Sequence, residues 1–255
     1  MSEETLDEII DGHLRIYQKK RGYRFSLDAI LLAHFISLKR KANVIELGCG
    51  SGIISLILAL RLPQITMIGL EIQEEMAALA QKNVEINNLA SQIKIMNGDA
   101  REIKKTFAAY SFDAVIFNPP YRKIDSGRIN PDGEKSIARH EIKGSLPEFL
   151  KAASYLLKPK GQVFAIYPAT RLASLVCSMR ENKIEPKKIK LVFSDNKSVA
   201  EFALVEGRAG GREELTVEPV LVIYDKNKKY TEEMKAIFSE LASFPVRGDV
   251  RFPES

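Results

Sequence analysis

Four consecutive residues, Asn118-Pro119-Pro120-Tyr121, close the apolar run Phe112 to Phe117, which reads as a buried strand carrying one acid, Asp113. Their types suit methyl transfer to a planar nitrogen. An exocyclic amine such as that of adenine is a weak nucleophile because its lone pair is delocalised into the ring. Two acceptors aimed at its two N–H bonds return density to nitrogen, and the Asn118 side-chain carbonyl and the Pro119 backbone carbonyl can supply them. Consecutive prolines fix φ and bring no competing N–H, so Pro119 and Pro120 hold those carbonyls in place. Tyr121 offers an aromatic face on which a base can stack. The same tetrapeptide could also form an ordinary turn, since Asn-Pro pairs favour turns.

The elements that must position such a corner lie upstream. Asn43 to Leu47 is a short β-rich run ending in Gly48-Cys49-Gly50-Ser51-Gly52, and the apolar stretch from Ile53 to Leu60 follows as a helix. Glycines there let the backbone pass close to a ligand and let the helix pack on the sheet. A nicotinamide-binding G-x-G-x-x-G would need a third glycine where Ile53 stands. With Glu46 ahead of it, the turn instead resembles the S-adenosylmethionine turn of the Rossmann-like methyltransferases. The next apolar run, Ile65 to Leu70, ends at Glu71, placed to accept hydrogen bonds from both hydroxyls of a ribose. After the third run, Ile93 to Met96, Asp99 could bind an adenine amine. The expected cofactor-binding set is therefore Glu46, Gly48, Cys49, Gly50, Gly52, Glu71 with Ile72, Asp99 with Ala100, and Asn118. Glu71 and Asp99 could alternatively cap the helices that follow them. Their order favours the ligand-binding role, because in an open α/β sheet ligands collect at the carboxyl ends of the strands.

A chain of 255 residues accommodates one large α/β domain with a short appendage. The longest apolar stretch, Gly52 to Leu60, stops at Arg61, far short of the roughly 20 residues of a membrane span. The N-terminus carries acids where a secretory signal would carry bases, which predicts a cytoplasmic location. Cys49 and Cys177 are too few and too far apart for a disulfide framework or a metal site, and Cys49 reads as a small buried residue. The 38 bases face 33 acids, five of which fall in Met1 to Asp11, where there is no base. The remainder is strongly basic, with clusters at Lys19 to Arg24, Lys39 to Lys41, Lys183 to Lys190 and Lys226 to Lys229, a field that would attract a polyanion.

Strand-like runs near 43–47, 66–71, 92–96, 112–117 and 161–167 alternate with helix patterns near 52–61, 73–87, 101–107, 145–157 and 169–181. This predicts a mainly parallel sheet with helices on both faces. Met76, Ala80 and Val84 mark the inner face of the helix over 73–87. The fold class expected is a Rossmann-like, mainly parallel seven-stranded sheet, and runs at 188–194, 202–206 and 216–224, with no long helix between them, predict its antiparallel C-terminal edge. A last helix spans 231–242. Residues 1–40, with a short strand at 14–18 and a helix from Ser26 to about Leu38, form an N-terminal extension closing the cleft. Residues 41–245 form the catalytic domain and 246–255 a tail. The irregular stretch Arg122 to His140 reads as a substrate-gripping loop in which Arg122, Lys123 and Arg139 bind substrate. His140 is assigned no role as a base, since a methylated ammonium loses its proton readily.

Gly22-Tyr23-Arg24-Phe25-Ser26-Leu27-Asp28-Ala29-Ile30-Leu31-Leu32-Ala33, Glu46 to Gly52, and Asn118 to Arg122 together resemble the bacterial methyltransferases that modify adenine N6 in the anticodon loop of valine tRNA. The resemblance implies a class I methyltransferase fold, S-adenosylmethionine as methyl donor and tRNA as partner. It also implies that Tyr23, Arg24, Phe25 and Asp28 close the cofactor site. The chain is expected to act as a monomer or weak dimer, without metal or membrane. Asn-Pro-Pro-Tyr is shared with DNA adenine methyltransferases and with enzymes that methylate a glutamine amide of release factors, so a protein amide remains the alternative substrate. A non-catalytic RNA-binding module of the same fold is a further alternative.

Overall fold

The computed structural model describes residues 4–19, 27–119 and 145–244. The chain opens with an antiparallel hairpin of β1 (Glu4–Ile9) and β2 (Leu14–Lys19), then helix α1 (Leu27–Phe35). Strand β3 (Asn43–Leu47), helix α2 (Ile53–Arg61), strand β4 (Thr66–Glu71), helix α3 (Glu74–Ile86) and strand β5 (Ile93–Asn97) follow. A 3-10 turn at Ala100–Glu102 and the single-turn helix α4 (Ile103–Thr106) lead to β6 (Phe112–Phe117). Beyond it come α5 (Leu146–Leu156), β7 (Leu157–Pro168), α6 (Leu172–Glu181), β8 (Ile184–Phe193) and β9 (Ala200–Ala209). The two-residue strands β10 (Thr216–Val217) and β11 (Leu221–Val222) and helix α7 (Glu232–Ala242) complete the described chain.

The main sheet has nine strands in the order β10-β8-β9-β7-β6-β3-β4-β5, with β11 also on β8. Strands β3 to β7 are mutually parallel, and β9 runs antiparallel to both β7 and β8. The expectation of seven strands is exceeded by two, since β10 and β11 join the seven longer strands β3 to β9, and the antiparallel strand β9 is slotted inside the edge it was expected to form. The single strand expected at 216–224 is instead two short strands, both parallel to β8. Pro219 stands between them, and a residue without an N–H cannot donate to the ladder at that position.

Alternation along each strand builds two cores. Val44, Ala114, Ile116, Phe164 and Ile166 face α1, α2 and α7, while Ile45, Leu47, Val115, Phe117, Val163 and Ala165 face α5 and α6. A strand buried on both faces must be apolar on both, which explains the continuous apolar runs. Helix α2 is buried all round from Ile53 to Leu60, as a helix enclosed by other elements must be. It ends at Leu62, whose backbone (φ −127°, ψ 75°) has left the α region that Pro63 disfavours in its predecessor.

The hairpin is fastened to α3 by two asparagines one helical turn apart. Asn83 Oδ1 accepts the Tyr17 N–H at 2.7 Å and its Nδ2 donates to the Tyr17 carbonyl at 3.1 Å. Asn87 makes the same pair of bonds with Arg15, at 2.9 and 2.7 Å. Residues 15 and 17 lie on one edge of β2, so the helix presents two amides where a neighbouring strand would present two peptide groups. Asn83 Nδ2 also donates to the Ser51 carbonyl at 3.0 Å, which links the hairpin to the glycine turn.

Candidate functional site

Register places the site. Leu47 pairs with Leu70 on one side and Phe117 on the other, and Glu71 pairs with Asn97. Gly48, Glu71 and Asn118, each one residue past that row, therefore share the carboxyl end of the sheet with Asp99. Neighbouring strands lie about 4.8 Å apart, so Glu71 and Asn118 flank the glycine turn across roughly 10 Å of sheet, with Asp99 one strand further out.

The turn needs its glycines. Gly48, Gly50 and Gly52 have φ of 73°, 56° and 83°, the left-handed region that costs other residues about 1–2 kcal/mol each. Gly48 and Cys49 both donate to the Leu70 carbonyl, at 2.7 and 3.1 Å, tying the turn to β4. The Gly50 N–H donates to Glu71 Oε2 at 2.9 Å, so that carboxylate shapes the turn it was expected to complement. Its other oxygen accepts from the backbone and side chain of Gln73 at 3.0 and 3.2 Å. Asn97 Nδ2 donates to the Glu71 and Ile72 carbonyls at 2.9 and 3.1 Å and fixes the backbone beneath.

Glu46 is 1% exposed and aimed at the start of α2, where its Oε2 accepts from both the backbone N–H and the hydroxyl of Ser55. Burial pushes its pKa up to about 8, against the two Ser55 bonds that favour the charged form, and the neighbouring Glu71 adds to the rise. Burial also pushes the Cys49 thiol well up, with Glu46 and Glu71 contributing, so Cys49 is inert packing as expected. Asp99 caps the 3-10 turn by accepting the Arg101 N–H at 2.8 Å and pairs with the Arg101 guanidinium at 2.6 Å. Burial alone would raise its pKa, but the bonds and charge of Arg101 outweigh it and hold Asp99 below its ordinary value. The capping role is therefore occupied, and the carboxylate stays ionised at the mouth of the crevice.

Asn118 is half-buried and Pro119 buried at the end of β6. The Asn118 Nδ2 donates to Asp28 Oδ2 at 3.2 Å, across 90 residues of sequence. Asp28, 6% exposed in the first turn of α1, also accepts the Ala29 N–H at 2.9 Å through Oδ1. The carboxyl end of the sheet thus gathers Asp28, Glu71 and Asp99, with Glu46, which holds its proton in the free protein, behind them, in a chain of net positive charge. Such a field favours a cationic ligand over an anionic one.

Residues 26–174, more than half of the chain, match the family model of the methyltransferase small domain. The chain belongs to this family. A tRNA1(Val) (adenine(37)-N6)-methyltransferase of Parabacteroides distasonis is 27% identical over 229 residues, which is 87% of this chain and 92% of that protein. One of the same name from Histophilus somni is 28% identical over 234 residues, covering 87% and 91%. One from Porphyromonas gingivalis reaches 34% over 158 residues, covering 60% of this chain and 61% of that protein. Among solved structures, a predicted O-methyltransferase from Agrobacterium tumefaciens superposes with a TM-score of 0.69 at 21% identity, over 86% of this chain and 98% of that one. That likeness is one of fold, the Rossmann-like class I methyltransferase fold expected above.

Membership in this small-domain family, with this fold, implies use of S-adenosylmethionine, and the residues suit it. The donor carries a sulfonium, an ammonium and a carboxylate, and the acids at this end of the sheet complement its net positive charge. Glu46, Gly48, Cys49, Gly50, Gly52, Glu71, Ile72, Asp99, Ala100 and Asn118 come together at one end of the sheet. Tyr23, Arg24, Phe25, Pro120, Tyr121, Arg122, Lys123, Arg139 and His140 lie outside the described residues. Sequence reasoning missed Ser55, Gln73, Asn97 and Arg101, which hold the acids in place. Gln73 and Arg101, each two residues after the acid it binds, carry a local signal. Among the described residues no cluster of His, Cys, Asp or Glu is placed to hold a metal, and no helix is long and apolar enough to cross a membrane.

Proposed function

We propose that this chain transfers a methyl group from S-adenosylmethionine to the exocyclic N6 of an adenine in tRNA, with the anticodon loop of valine tRNA as the substrate. The observation that carries the reading is the placement of Asn118 on the strand next to the glycine turn, with its amide nitrogen engaged by Asp28. The names of the relatives, which cover most of this chain, supply the choice of nucleic acid and base.

When bound, S-adenosylmethionine supplies an electrophilic methyl group on a cationic sulfur. Glu71 would hold the ribose hydroxyls, Asp99 and Ala100 the adenine ring, and the glycine turn with Glu46 behind it the charged amino-acid part. The Asn118 side-chain carbonyl and the Pro119 carbonyl accept the two N–H bonds of the substrate amine and localise its lone pair. Both carbonyls project from backbone next to the fixed φ of Pro119, so alignment adds to this electronic effect. The methylated nitrogen then sheds one proton to water, and no strong base is needed. An adenine in an anticodon loop is cheaper to splay out than one in a duplex.

Nucleoside mass spectrometry of valine tRNA from a deletion strain tests this. N6-methyladenosine should vanish on deletion, return with the wild-type gene and fail to return with Asn118→Ala. An unchanged N6-methyladenosine level in the deletion strain would remove the assignment.

A further inference from the structure

The contact between Asn118 and Asp28 decides more than where two side chains rest. A primary amide can turn over about its terminal torsion at little intrinsic cost, because its oxygen and NH₂ ends are nearly isosteric. For a substrate NH₂ the two orientations are opposites: one offers an acceptor, the other offers a second donor that repels the N–H bonds to be bound. Catalysis at this corner therefore needs something to choose between them.

We propose that Asp28 is a positioning residue for methyl transfer, which locks the Asn118 amide with its nitrogen inward and its carbonyl presented to the substrate amine. A carboxylate only accepts hydrogen bonds, so the group 3.2 Å from Asp28 Oδ2 must be the amide NH₂. Turning the amide over would set its oxygen against that carboxylate. Asp28 is itself held, because its second oxygen takes the Ala29 N–H at the start of α1, where a negative charge is favoured. It is 6% exposed, so water does not compete freely for the contact. Burying an acid here is otherwise costly, and helix capping alone would require no partner on β6. The inference rests on the reading that the Asn118 carbonyl receives the substrate amine. It differs from the cofactor-binding role that family resemblance implies for Asp28, because it predicts a loss in the transfer step and not in donor affinity.

A double-mutant cycle of Asp28→Ala and Asn118→Ala tests it, with single-turnover transfer to unmodified valine tRNA read alongside calorimetric S-adenosylmethionine affinity and thermal melting. Asp28→Ala should slow transfer by roughly 10- to 100-fold, the loss of one charge-assisted orienting bond, while donor affinity changes less than about threefold. In the Asn118→Ala background Asp28→Ala should cost almost nothing further, since no amide remains to orient. Asp28→Asn keeps the shape and one acceptor oxygen and should recover part of the rate, which guards against a misfolded alanine variant. Additive losses, an undiminished rate in Asp28→Ala, or a fall in donor affinity that matches the fall in rate would overturn the inference. The cycle is run in parallel on a release factor glutamine. Wild-type transfer to that amide and not to tRNA would refute the adenine reading while the cycle still judged Asp28, and transfer to neither would overturn both.

Discussion

Replacing Glu46 with glutamine should make the free protein more stable in alkaline solution and no more stable in acid. In the folded chain this carboxyl holds its proton until about pH 8, whereas in the unfolded chain it releases it near 4.5. A group whose folded pKa is raised contributes fully below the unfolded value, and its contribution is lost as pH climbs through the folded value. Stability of the wild type should therefore decline between about pH 4.5 and 8 and level off above. At about 1.36 kcal/mol per unit, the full span is on the order of 5 kcal/mol. The introduced glutamine is isosteric with the acid, can still accept the Ser55 N–H and does not titrate, so the variant's curve should lack this decline. Urea unfolding of both proteins from pH 4.5 to 8.5 gives the comparison directly. The difference should grow from near zero to several kcal/mol in favour of Glu46→Gln. A pH-independent gap would refute the reasoning, because it would mean that packing and not protonation separates the two. The same buried acid should give up its proton when a cationic donor arrives, so S-adenosylmethionine binding to the wild type should release a proton near pH 7. Calorimetry in buffers of different ionisation enthalpy detects that release, and Glu46→Gln should abolish it.

Asn83→Ala leaves two groups of Tyr17 and the Ser51 carbonyl without their partner. It should cost about 3 kcal/mol, a fall of roughly 6–12 °C in Tm for a chain of this size, with faster amide exchange along β2; an unaltered Tm and exchange pattern would contradict the clamp. Gly52→Ala must adopt φ of 83° with its Cβ 3.4 Å from that of Ala80. It should lose about 1–2 kcal/mol in denaturant melts and weaken donor binding in calorimetry, whereas wild-type stability would show that the turn relaxes freely. Native protein should expose one thiol to Ellman's reagent, Cys177, and two after denaturation, since Cys49 is buried; two thiols in the native state would mean that the turn opens.

The parts of this protein that were legible in its sequence are those whose chemistry is local. Three alternating glycines announce positive φ because little else tolerates it, and an acid ending an apolar run announces a strand tip. The Asn118 corner is readable for the same reason, since its donors and acceptors are written in consecutive residues. What could not be read depends on pairing across the sheet or on long-range polar contacts. Nothing local tells β9 to slot between β7 and β8, and Asn83 and Asn87 read as one polar turn of α3 until β2 lies beside them. Pro219 was a legible break that the apolar character of 216–224 obscured. Residue 28 could be placed near the site by resemblance, but its contact with Asn118 bridges 90 positions and belongs to the fold alone.

The central claim is that the corner at Asn118 receives an adenine amine, and reconstitution with purified components addresses it most directly. Purified protein, isotopically labelled S-adenosylmethionine and an unmodified valine tRNA transcript should yield one labelled N6-methyladenosine, mapped by nuclease digestion and mass spectrometry to the anticodon loop. Asn118→Ala should bind the donor with nearly wild-type affinity and keep only a trace of transfer, measurable in single turnover. Label on another atom of the tRNA, or undiminished transfer by Asn118→Ala, would contradict the account.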